Sequence, residues 1–110
     1  MAYDEKTAKR IRAVLSTRRG VTEQKMFGGV AFMINGHMAC GVIDERLVLR
    51  LGEDGAALAL NRKHTSPMDF TGKPLRTMVY VDPAGFRTAA ALRRWVDDAV
   101  AFARTLPAKS

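Results

Sequence analysis

Lys25-Met26-Phe27-Gly28-Gly29-Val30-Ala31-Phe32-Met33-Ile34-Asn35-Gly36 is the stretch that decides the fold of this 110-residue chain. A double glycine opens an apolar run and Asn35-Gly36 closes it. Asn-Gly is a strong signal for a two-residue hairpin, because a type I′ turn needs positive φ at both central positions. The turn predicts a register with Ile34 opposite His37, Met33 opposite Met38 and Ala31 opposite Cys40. A second tight turn at Asp44-Glu45 places Ile43 opposite Arg46, Val42 opposite Leu47 and Cys40 opposite Leu49. The reading is a three-stranded antiparallel meander over residues 29–35, 37–43 and 46–51.

Side chains alternate along a strand, so this register predicts two faces. Ala31, Met33, Met38, Cys40, Val42, Leu47, Leu49 and Leu51 form an apolar face expected to carry helices. Val30, Phe32, Ile34, His37, Ala39, Gly41, Ile43, Arg46, Val48 and Arg50 form a mixed face, too apolar for plain solvent surface and too charged for deep core. Within it Phe32, Ala39, Val48 and Arg50 make a candidate interaction face. A slip of one residue would exchange the two sets.

Outward from the meander, residues 4–16 read as a helix with Ala8, Ile11, Val14 and Leu15 along one stripe. Asp4 and Glu5 suit the positive end of its dipole. Residues 53–61 read as a short helix and Thr65–Pro74 as a loop of turn-forming residues. Arg76–Val81 reads as a further strand, and Asp82-Pro83-Ala84-Gly85 turns the chain. Residues 87–105 carry the best helical pattern. Leu92, Trp95, Val96, Ala99, Phe102 and Ala103 lie on one side, Thr88 stands as N-cap and Pro107 lies just beyond the end. The expected fold is α+β and two-layered: an antiparallel meander plus a further strand, packed by the N- and C-terminal helices, in one domain over residues 1–110.

Composition narrows the functional classes. At 47% hydrophobic and 26% charged, the chain has the make-up of an ordinary soluble domain rather than a disordered one. No apolar run approaches the ~20 residues of a membrane span, and the N-terminus lacks a secretory signal. A single cysteine excludes an internal disulfide and suits a reducing cytoplasm, the expected location. The net charge of +7 favours anionic partners. The basic residues are spread from Lys6 to Lys109, however, with no run of five like charges and no interleaved aromatic platform.

No constellation carries obvious chemistry. A catalytic Cys40 would need a base beside it. On the predicted register His37 points to the opposite face, and only folding could bring His64 close. Cys40 therefore reads as a small buried hydrophobe. No pair of histidines or cysteines has the spacing of a zinc motif, and no cofactor is expected. Gly28-Gly29 leads into a strand rather than a helix and lacks the spacing of a phosphate-binding loop, so close backbone approach explains it better. The segment Met68-Asp69-Phe70-Thr71-Gly72-Lys73-Pro74 offers Asp69, Thr71 and Lys73 as a candidate loop site.

Taken in order, Lys25-Met26-Phe27-Gly28-Gly29, Phe32, Asn35-Gly36, Met38, Gly41-Val42, Leu47-Leu49-Arg50, the Met68–Pro74 segment, Trp95-Val96 and Ala101–Arg104 resemble the N-terminal domain of the TfoX/Sxy family. That family is associated with regulation of bacterial competence genes. The resemblance implies a two-layer α+β fold and brings no catalytic residues. The chain looks like a stand-alone version, without room for the second, helical domain of longer regulators. The leading expectation is a non-enzymatic cytoplasmic domain acting on a protein partner or its own copy. The alternatives are a nucleic-acid-binding accessory of regulation, and an enzyme or small-ligand domain using Cys40, His64 or the Asp69 loop.

Overall fold

Asn35 and Gly36 both take positive φ, at 52° and 86°, so the first hairpin forms where the sequence puts it. The structure, a computed structural model, describes residues 3–26, 28–69, 72 and 74–107. Its elements run α1 (Glu5–Leu15), β1 (Val21–Met26), β2 (Gly29–Ile34), β3 (His37–Ile43), β4 (Arg46–Arg50), α2 (Gly52–Ala59), β5 (Thr65–Asp69), β6 (Pro74–Val81), a 3-10 turn (Pro83–Phe86) and α3 (Ala89–Arg104). Among the described residues the strands form one six-stranded antiparallel sheet in the order β1-β2-β3-β4-β6-β5.

The α+β class and the flanking terminal helices are as the sequence implied, but the sheet is wider. Val21–Met26 is a full strand paired to β2. It escaped notice because Thr22, Glu23, Gln24 and Lys25 are polar and exposed, as suits an edge strand. Thr65–Asp69, read as loop, is the opposite edge. Pro67 within it has no amide hydrogen to give, which an edge position tolerates.

The larger correction concerns register. Ile34 pairs with His37 and Met33 with Met38, as expected, but Phe32 pairs with Cys40 and Ala31 with Gly41. Ala39 is one extra residue in β3, opposite none of β2, and forms a β-bulge. The bulge moves Val30, Phe32 and Ile34 to the face shared with Cys40, Val42, Leu47 and Leu49, and sends Ala31 and Met33 to the other. Beyond the bulge the second turn keeps its expected pairs, Ile43 with Arg46 and Val42 with Leu47.

All three described helices bury their apolar stripes on that one face. Ala8, Ile11 and Leu15 of α1, Ala56 and Ala59 of α2, and Leu92, Trp95, Val96 and Ala99 of α3 join Phe32, Ile34, Leu47 and Leu49 in the main core. Asp4 caps α1 by accepting from the Thr7 amide and hydroxyl, and Thr88 Oγ1 accepts from the Ala91 amide at the start of α3. The far face holds a smaller cluster of Val48, Met68, Met78 and Tyr80, edged by Met38 and Ile43. Over it the Arg46 guanidinium lies 3.8 Å from the Tyr80 ring centre. No helix among the described residues is long and apolar enough to cross a membrane.

Candidate interaction surface

The four residues of the predicted interaction face do not share a surface. Phe32 is 1% exposed beneath the helices, and Ala39, the bulge residue, lies wholly in the main core. Val48 is fully buried in the smaller cluster. Arg50 is half-buried at the end of β4, 5.7 Å from the Phe102 ring centre on α3. The bulge took Phe32 across the sheet, while Val48 stays on the far face, buried among Met68, Met78 and Tyr80. Of the candidate loop, Asp69 is exposed at the end of β5, and Thr71 and Lys73 lie outside the described residues.

Cys40 is completely buried, and burial alone pushes its thiol up to about 12. The bulge also changes the reasoning about His37, which stands on the same side of the sheet as Cys40 rather than the opposite one. Its Nε2 engages the Pro107 carbonyl at the chain's C-terminal turn. His64 is exposed beside Gly85, whose added Cβ would meet it, whereas Cys40 has no exposed surface. Among the described residues no three His, Cys, Asp or Glu side chains are grouped to hold a metal ion.

Gly29 shows what the double glycine does. A Cβ there would run into the Val42 carbonyl oxygen, so the residue permits close approach of β2 to β3.

Much of the basic charge serves the fold. Arg12 bridges Glu5 and Glu23 and ties α1 to β1, and the two carboxylates push the guanidinium's pKa up. The same contact holds the Glu5 carboxyl below its ordinary value. Arg18 pairs with Asp97 on α3, and Arg104 donates to the Arg19 carbonyl.

The surface that stands out is built by α2. The chain leaves β4 through Gly52 at φ 78°, and Glu53 and Asp54 open the helix where its dipole favours acids. Ala56 and Ala59 face inward. The outward side carries Ala57 and Leu58 in place of the charged residues usual on a solvated helix. Leu58 is 70% exposed, and Leu60 and Leu75, on the other flank of the helix, are 40% and 37% exposed. Leu58 borders a groove of about 230 Å³ between α2 and α3, where Arg62 lies 3.8 Å from the Trp95 ring centre opposite Asp98. Leu60 and Leu75 border a second groove of about 330 Å³ between α2 and the β5–β6 edge, with Glu53 and Arg76 on its rim. Glu53, Asp54, Arg62, Arg76 and Asp98 form no ion pair among the described residues. The signal was in the sequence: Ala56-Ala57-Leu58-Ala59-Leu60 is apolar all round its helix, which asks for cover on every side.

These features define a two-layer α+β domain in which, among the described residues, the outward side of one short helix is exposed. The TfoX N-terminal domain family model matches residues 13–103, and the chain belongs to that family. No curated protein and no solved structure matched the chain.

Proposed function

We infer that the domain works by docking to another macromolecule through the α2 face, and not by catalysis. The observation that carries this is Leu58, 70% exposed beside Ala57 on the second turn of a helix whose first turn exposes Glu53 and Asp54. Contiguous apolar surface rimmed by charge is the make-up of a protein interaction site. Membership of the TfoX N-terminal domain family supports a competence-regulator-like domain, a role that engagement of a partner would suit. The nucleic-acid reading draws less support, because it rests on the net charge of +7 alone, with basic residues spread from Lys6 to Lys109 rather than gathered in a run.

A photo-crosslinking amino acid at position 58 tests the reading in the native cell. Adducts form from position 58 and not from position 24 on the polar edge strand. Their absence at 58 overturns it.

A further inference from the structure

Resting on that reading, we propose that the occupant of the α2 face is a second copy of this chain, packed α2 against α2 about a two-fold axis. The argument is electrostatic. Each copy carries +7, so two copies repel wherever their surfaces share the average charge. Around α2 they do not. The four charged residues that line its two grooves balance, Glu53 and Asp98 against Arg62 and Arg76, and none of the four forms an ion pair among the described residues.

The distribution of these charges suits a two-fold. An isologous contact brings the same patch against itself, so each charge needs its opposite within its own patch. Both grooves supply that: Arg62 and Asp98 on one, Glu53 and Arg76 on the other. A basic or acidic partner would match only half of them. The apolar centre is also self-complementary in form: Leu58 stands exposed at the edge of the α2–α3 groove, which can take the Leu58 of the other copy. The adjoining sheet edge is a poorer seat, because Pro67 interrupts the donors of β5.

Sedimentation velocity of the full chain, from micromolar to millimolar concentration, reads the outcome. The expected result is a concentration-dependent species of twice the chain mass. It persists or strengthens as salt rises, because salt screens the repulsion between the two basic bodies. Leu58→Glu weakens association by about thirtyfold or more, with an unchanged thermal midpoint at concentrations where the unaltered chain is monomeric. Leu75→Glu acts in the same direction, and Arg93→Glu on the exposed side of α3 leaves the dimer intact. A monomer at every concentration and salt overturns the proposal, as does a dimer indifferent to Leu58→Glu. A monomer whose position 58 crosslinks to a different protein in the cell ends self-association and leaves the docking reading standing. A monomer without adducts ends both.

Discussion

Arg10 Nη2 lies 2.7 Å from the carbonyl oxygen of Phe86, a residue 76 positions further along the chain. The same nitrogen is 3.1 Å from the Arg87 carbonyl and 3.4 Å from that of Thr88. One side chain of α1 thus gathers the three carbonyls that lead into α3. Arg10→Gln should lower stability by about 1.5–3 kcal/mol, the range for hydrogen bonds to a charged group. Arg10→Lys should recover part of the loss, since an ammonium keeps the charge and the donors on a shorter side chain of different geometry. Urea unfolding, read as a shift in midpoint at constant slope, checks both.

The bulge makes a prediction about ranking. Phe32→Ala should cost about 3–5 kcal/mol, because it empties a site in the main core. Leu58→Ala should change stability by no more than about 0.5 kcal/mol. An unbulged register would leave Phe32 on the half-open face and make its truncation mild. Thermal midpoints of the two variants decide the matter.

Cys40 predicts an alkaline signature. Its thiol is raised from 9.0 to about 12 by burial, so the folded state holds the proton more tightly than the unfolded one. The stability this gives is fully present below pH 9 and is lost as pH rises from there towards about 12. Cys40→Ala should remove that part of the alkaline slope in denaturation midpoints taken across this window. In the native protein the thiol should stay unreactive towards a disulfide reagent at pH 8 and react at the rate of unfolding.

Gly52 should resist substitution for two reasons. Its φ of 78° is strained for any other residue, and a Cβ would lie 2.6 Å from Cε1 of the Phe102 ring. Gly52→Ala should therefore cost more than about 1 kcal/mol, and should disturb the packing of α2 on α3 as seen in Phe102 ring shifts by NMR.

The parts of the fold legible in the sequence are those written in local chemistry. Asn35-Gly36 dictated a turn, Thr88 capped a helix and the stripe from Leu92 to Ala103 found the core. β1 was hidden because an edge strand with both flanks near solvent needs no alternation, and Thr22 to Lys25 show none. β5 was hidden by Pro67, which speaks for a loop unless the strand is known to lie at an edge. Ala39 was hidden for a different reason: a bulge residue has no compositional mark, and pairing counted from a turn carries straight through it. The candidate face inherited that error. Leu58 was missed because the short apolar helix was read for its existence and not for what its outward side would meet.

Ala39 holds a consequence at the level of the gene. It is a single inserted step in a two-beat pattern, and one codon therefore decides which residues of β2 face the helices and which face the opposite side of the sheet. Deleting that codon would leave every side chain in place along the strand and turn half of the hairpin inside out.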